Sequence, residues 1–259
     1  MNRIPKTIVL IATIAILFLM SPLIGLLQRM PWSGLTNLLR SDIILDAFLL
    51  SLFVSFSAAL VVFIFGIPIA WVLARSNFSF MKLLRSVVLL PMVLPPVVGG
   101  TALLFAFGRQ GFLGKWLNDW FGLTLPFTTA GSVVAAVFVS FPFFIVAVES
   151  AFRSINEDLE RTAETLGASS SKIFLKITLP RIFPSILAGL ALSWARALGE
   201  FGATITFAGN MPGETQTLPL AIFLALETNP EAALALSLVM IVTSLAILVP
   251  FRDQWLPSR

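Results

Sequence analysis

Two ionisable residues stand four apart inside a strongly apolar run, Arg196 and Glu200 in Trp194-Ala195-Arg196-Ala197-Leu198-Gly199-Glu200-Phe201-Gly202-Ala203. On a helix that spacing puts both on one face, close enough to pair. Ionised groups in a membrane interior cost roughly 2.5–3.5 kcal/mol each on insertion scales, so they face a bundle interior or a wet path. Two roles are open for this pair: a structural ion pair that fixes packing between helices, or a direct part in a gate. Gly199 and Gly202 allow close backbone approach beside it, as small residues do at helix contacts. A second polar group follows, in which Thr204, Thr206, Asn210, Thr215, Gln216 and Thr217 surround the turn Gly209-Asn210-Met211-Pro212-Gly213. Their hydroxyls and amides are candidates to line an anion path. They are equally candidates for a hydrogen-bonded gate loop that touches no substrate.

The remaining chemical inventory is thin. The chain has no Cys and no His, which removes thiol nucleophiles, disulfides, imidazole bases and most zinc or haem ligation. Asp46 has no partner aspartate within the apolar runs, and no Lys stands mid-run, so an intramembrane enzyme has little to work with. No G-x-x-x-x-G-K-[ST] loop occurs; Gly114-Lys115 comes nearest, with Arg109 where the first glycine belongs. ATP chemistry therefore has to sit on another polypeptide.

These residues need elements to hold them, and the composition says which kind. Of 259 residues, 58% are hydrophobic and only 12% charged, against roughly 25% charged in soluble domains. Mean hydropathy is +0.96. Several runs exceed the ~18–20 apolar residues that cross a bilayer as a helix. The ~10-residue alternation of a membrane β-barrel is missing. The expected fold is an all-α integral membrane protein, one domain over residues 1–259. Its six spans are expected near Thr7–Leu27, Asp42–Ala74, Val87–Phe107, Thr128–Ser150, Ile182–Ala208 and Pro230–Phe251. The first run is too long for a signal-peptide core and lacks an A-x-A-like cleavage site, so it is expected to be a retained span. Pro68 can kink the second span. The third opens on Pro91-Met92-Val93-Leu94-Pro95-Pro96 and Gly99-Gly100, a poor continuous helix of the kind tolerated where it is buried in protein or lines a cavity.

Charge sets the orientation. With the N-terminus inside, cytoplasmic segments hold Arg3, Lys6, Arg75, Lys82, Arg85, Arg153, Arg161, Lys172, Lys176, Arg181, Arg252 and Arg259, while outer loops hold Arg29, Arg40, Arg109 and Lys115. Twelve against four is a positive-inside bias. It places both termini in the cytoplasm and explains the basic pI without a nucleic-acid partner. It also places there the longest polar interruption, Asn156–Pro180. Ile155, Leu159, Thr162-Ala163 and Leu166 in this segment follow a helical period. Asn156 reads as its N-cap, Glu157, Asp158 and Glu160 suit the first turn, and Gly167 suits the C-cap. A second helix is expected from Ser169–Ser171 through Ile173, Phe174 and Ile177, with Pro180 ending it or turning it into the fifth span. Such an elbow either lies on the membrane surface or docks with a partner.

The spacing of Gly167, Ile177, Leu179 and Pro180 resembles the cytoplasmic loop of permease subunits of ATP-binding-cassette (ABC) importers. The resemblance implies that the elbow is a coupling helix seated in a cleft of the ATPase subunit, with Glu160, Arg161, Ala163, Glu164, Leu166, Gly167, Ala168 and Pro180 as its coupling residues. The family's Glu-Ala-Ala triplet is here Arg161-Thr162-Ala163, flanked by Glu160 and Glu164. Ala195–Ala203 is similar to permeases for tetrahedral oxyanions. Thr204–Phe223, with Phe207–Asn210, Pro212-Gly213 and Thr215–Ile222, is similar to molybdate and tungstate permeases in particular. These likenesses imply a type I importer fold with gate or pathway residues among Arg196, Gly199, Glu200, Gly202, Thr204, Thr206 and Asn210. The implied partners are a second copy of the chain, two ATPase subunits that bind ATP and Mg²⁺, an extracytoplasmic oxyanion-binding protein and membrane lipid. No cofactor or metal is expected on this chain, and it is expected not to be an enzyme. A sulfate or thiosulfate permease is the nearest alternative. An ion-coupled secondary transporter is a further one, although the inverted repeats common in that class are not visible.

Overall fold

A computed structural model describes residues 5–76 and 78–250, with Glu157 represented by its backbone alone. Its described residues form thirteen α-helices and no strand. In chain order these are α1 Lys6–Gln28, α2 Leu35–Leu39, α3 Asp42–Arg75, α4 Met81–Val93, α5 Pro96–Phe107, α6 Gly114–Phe121, α7 Thr129–Ser154, α8 Glu157–Thr165, α9 Ser170–Ile173, α10 Leu179–Leu198, α11 Gly202–Phe207, α12 Leu218–Thr228 and α13 Pro230–Leu248, with a π-helical turn, Phe174–Thr178, joining α9 to α10. Five helical runs are long and apolar enough to cross a membrane, and α4 with α5 makes a sixth, broken one. The chain is a multi-pass membrane protein.

The centre of the fold is α7, packed between α3 and α10. Lipid tails are as apolar as leucine, so helices associate in a membrane by close packing rather than by escape from water, and small residues make the contacts. The buried stripe of α3 shows this: Ala47, Ser51, Ser55, Ala58, Gly66 and Ala70 share one face with Val62 and Leu73. Phe144 of α7 fills the space left by Gly66. On the other side Gly189 of α10 lies against Phe144 and Ala147, and Ser193 Oγ donates to the Ser140 carbonyl at 3.2 Å. Thr128 caps α7, its Oγ1 accepting from Gly131 N at 3.0 Å. By contrast, α1 buries none of its residues.

Three stretches depart from the sequence expectation. The third span, expected as Val87–Phe107, begins earlier and is cut in two, with α4 and α5 bent by 117°. Leu94 and Pro95 are extended, because Pro95 drives its predecessor out of the helical region and Pro96 takes the first helical position. The fifth span, expected as Ile182–Ala208, stops at Leu198 and restarts at Gly202. At its start, Pro180 neither ends nor sharply turns the preceding helix, since residues 170–198 run as one helix. The π turn just ahead of Pro180 accommodates its missing N–H, a local adjustment common around membrane prolines. Finally, α12 was not expected as a helix. With α13 it forms a hairpin closed by Asn229, whose side chain accepts from Ala232 N at 3.2 Å, and the pair packs on Ile44 and Ala47 of α3. Arg3, Phe251, Arg252 and Arg259, used in the expected spans and charge bias, lie outside the described residues.

Candidate functional site

The elbow is built as its caps require. Asn156 Oδ1 accepts from Asp158 N at 3.0 Å and starts α8. Gly167 sits at φ +83°, a left-handed C-cap position that suits glycine, and Ala168 N closes the turn on the Ala163 carbonyl at 3.0 Å. Leu166 stands at the bend and is 83% exposed. Arg161 and Glu164 are also exposed, while Ala163 and Ala168 are half-buried. Both oxygens of Glu160 are engaged within the chain. Oε2 meets Arg75 Nη2 at 2.9 Å, and Oε1 accepts from Thr178 Oγ1 at 2.7 Å. These residues line a cleft of about 280 Å³ between the elbow and Trp71 of α3.

A second ionic cluster lies beside the elbow and was not singled out from the sequence. Glu149 of α7 is 7% exposed. Its Oε1 lies 2.6 Å from Arg85 Nη2 on α4 and 3.0 Å from Arg153 Nε one turn along α7. Both arginines also donate to the Leu73 carbonyl, at 3.1 Å from Arg85 and 2.8 Å from Arg153. Leu73 lies in the last turn of α3, where carbonyls lack helical partners and cations are favoured. Three helices are thus fastened at one point, with one acid balancing two bases. The i, i+4 spacing of Glu149 and Arg153 was readable in the sequence; the approach of Arg85 and Leu73 was not.

At the other end of α10 the interior pair is formed, in a different setting from the one expected. Arg196 lies in the last turn of α10, while Glu200 sits beyond the helix end, in the break before α11. Arg196 Nη1 is 2.6 Å from Glu200 Oε2, and Glu200 Oε1 accepts from Ala203 N at 2.7 Å. The carboxylate therefore neutralises Arg196 and caps the open N-terminus of α11. Gly202 brings α11 against α5: a Cβ there would lie 2.7 Å from Pro96 Cβ. Gly100 does the same from the other helix, where a Cβ would lie 2.7 Å from both the Ala203 carbonyl oxygen and Thr206 Cβ. These two glycines serve contact within one chain. Gly199 has no such need, since a Cβ there would lie 3.6 Å from its nearest neighbour, the Ala195 carbonyl oxygen.

Several of the polar residues after the pair are bonded locally, while the buried Thr217 Oγ1 has no hydrogen-bond partner. Thr206 Oγ1 donates to the Gly202 carbonyl at 2.8 Å, Gln216 Nε2 donates to Asn210 Oδ1 at 3.0 Å, and Thr215 Oγ1 accepts from Met211 N at 2.9 Å. Thr204, Thr215, Gln216 and Thr217 are buried. Leu218 N, the first amide of α12, donates to Ser51 Oγ of α3 at 2.6 Å. This segment is largely an internally hydrogen-bonded loop, and Arg196 is balanced by its own acid. Neither feature makes a tight anion trap.

The sequence family described as binding-protein-dependent transport system inner membrane component matches residues 66–259. The chain belongs to this family. Its relatives include the molybdenum transport system permease protein ModB of Mycobacterium tuberculosis, 41% identical over 245 residues, covering 95% of this chain and 92% of the relative. The ModB of Escherichia coli K12 is 46% identical over 211 residues, covering 82% and 92%. The sulfate transport system permease protein CysT of E. coli K12 is 35% identical over 254 residues, covering 98% and 91%. Among solved structures, a bacterial ABC transporter that imports the acidic polysaccharide alginate matches with a TM-score of 0.74 at 20% identity, over 96% of this chain and 92% of that one. The MetNI methionine ABC transporter matches with a TM-score of 0.65 at 15% identity, over 82% and 96%. At those identities the likeness is one of fold, that of an ABC importer permease, and the permease is an inner-membrane component.

Proposed function

We propose that this chain is the membrane-spanning subunit of an ATP-driven importer for molybdate, and for tungstate, which has the same tetrahedral shape and charge. Two copies form the pathway in this reading, two ATPase subunits bind ATP and Mg²⁺ beneath them, and an extracytoplasmic binding protein delivers the anion. The elbow end faces the cytoplasm, as the charge bias favours, and residues 156–180 dock on the ATPase through Leu166 and the exposed face of α8. The observation that carries the substrate is the difference in identity: 41–46% to molybdenum permeases against 35% to a sulfate permease. The stretch Phe207–Ile222 supports the same choice. The interior fits a carrier that must release its cargo, because Arg196 is neutralised by Glu200 and Gln216 already donates to Asn210. Release then depends on changing the geometry of the helices rather than on outcompeting a binding site.

The test is uptake of radiolabelled molybdate by cells that lack their own molybdate importers and carry this chain with its ATPase and binding protein. Excess unlabelled tungstate should suppress uptake and excess sulfate should not. Equal suppression by sulfate would favour the sulfate-type reading and overturn the substrate assignment.

A further inference from the structure

The second half of the elbow is continuous with α10 and packs Phe174 against Trp71 of α3 and Phe152 of α7, whereas α8 is held more loosely. No described side chain of α8 is buried, so apolar packing does not weld it to the bundle. Its covalent exits are Ile155-Asn156 on one side and the Gly167 turn on the other. The Gly167 turn is a left-handed position at which even an added Cβ would meet nothing within 4 Å. Glu160 is a side chain of α8 that crosses the gap with both oxygens. One oxygen holds Arg75 at the end of α3 at 2.9 Å. The other holds Thr178, 1% exposed, in the π turn that leads into α10. Arg75 is two residues from Leu73, whose carbonyl is gripped by Arg85 of α4 and Arg153 of α7. The end of α3 is therefore a node shared by the elbow, α4 and α7, and α4 leads to the broken joint at Leu94–Pro95 and on to α5 and α11.

We propose that Glu160 is the positioning residue that transmits elbow movement to the membrane helices: a strut from α8 to Arg75 and Thr178, rather than a contact with the partner ATPase. This rests on the elbow being the docking segment. Both carboxylate oxygens already have partners inside the chain, and the ion pair is about four-fifths shielded, with side-chain exposures of 21% and 23%. A partly desolvated ion pair holds two elements in a fixed relation better than an exposed one. Cutting the strut leaves the docking face of α8 and Leu166 intact, so the ATPase still binds and still turns over, while less of each stroke reaches α3 and α10.

The experiment uses the full complex of chain, ATPase and binding protein in proteoliposomes. It measures radiolabelled molybdate moved per ATP hydrolysed, and the amount of ATPase retained when the chain is affinity-purified. Glu160→Gln and Arg75→Gln should each retain the ATPase at wild-type level and lower the transport-to-hydrolysis ratio about fivefold or more, within the range that such coupling mutations span. The exchange Glu160→Arg with Arg75→Glu should recover most of that ratio, which a general packing defect would not do. Thr178→Val, which keeps shape and removes only the hydroxyl donor, should lower the ratio in the same direction even if the charge variants fail to accumulate. An unchanged ratio in these variants overturns the proposal, as does loss of ATPase retention in Glu160→Gln, which would make Glu160 a docking residue. Failure of the functional reading shows differently, as wild-type complex without any ATP-dependent molybdate uptake.

Discussion

Replacing Gly100 by alanine tests how α5 and α11 are fitted together. A Cβ on Gly100 would lie 2.7 Å from the Ala203 carbonyl oxygen, 2.7 Å from Thr206 Cβ and 3.0 Å from Ala203 Cα. Carbon atoms in good contact sit roughly 3.5–4.0 Å apart, so the two helices have to separate by about 1 Å. No flexible side-chain tip can yield instead, because the atoms met are backbone or a Cβ fixed to it. Overpacking of this kind costs about 1–3 kcal/mol. The displacement also carries Ala203 N away from Glu200 Oε1, now 2.7 Å distant, and so disturbs the Arg196 pair. Gly199→Ala is the matched control: its nearest neighbours, Ala195 O and Met240 Cε, would stand at 3.6 and 3.7 Å, and its φ of −85° suits any residue. Thermal unfolding of the purified chain in detergent, followed by tryptophan fluorescence, should show a lowered midpoint for Gly100→Ala and almost none for Gly199→Ala. Equal stability of Gly100→Ala and wild type, or a larger loss for Gly199→Ala, would refute the close-approach argument.

Glu149→Gln removes the charge that balances Arg85 and Arg153, and the same melting assay should register a loss of about 1–3 kcal/mol, the usual result of stripping one partner from a buried polar group. Leu166→Asp should leave folding untouched, since Leu166 is 83% exposed, yet reduce ATPase retained on purification. Gly167→Trp should insert and melt normally apart from about 1–2 kcal/mol of left-handed backbone strain, but fail to stimulate its ATPase; normal stimulation would refute the elbow as the docking segment. Glu200→Gln keeps an oxygen for Ala203 N and loses the charge opposite Arg196. Transport should fall while ATPase retention stays at wild-type level, and loss of retention would show that the two sites are not separate.

Features set by neighbouring residues were legible in the sequence. The Asn156 cap and the left-handed Gly167 both follow from local chemistry over a few positions. The Pro95-Pro96 interruption was visible, though not the 117° bend it produces. The break at Gly199–Phe201 was hidden because an apolar run with Arg196 and Glu200 four apart reads as continuous helix. Beyond the break, Gly202 fits against Pro96 and Gly100 against Ala203, partners about a hundred residues apart in the chain. Glu160 was read as a docking candidate because its flanking position invites that reading. Its partner Arg75 lies 85 residues away, and no periodicity within 156–180 points to it. Pro180 looked like a terminator or a turn into the fifth span because its missing N–H is a local fact, whereas the π turn ahead of it belongs to the long helix into which it leads.

In the proposed function, ATP hydrolysed on a partner seated at the elbow drives the permease. Accumulation of radiolabelled molybdate in proteoliposomes containing the chain, its ATPase and its binding protein tests it most directly. Accumulation is expected only when ATP is present on the elbow side, and none when a proton or sodium gradient is imposed without ATP. Accumulation driven by either gradient in the absence of ATP would contradict it.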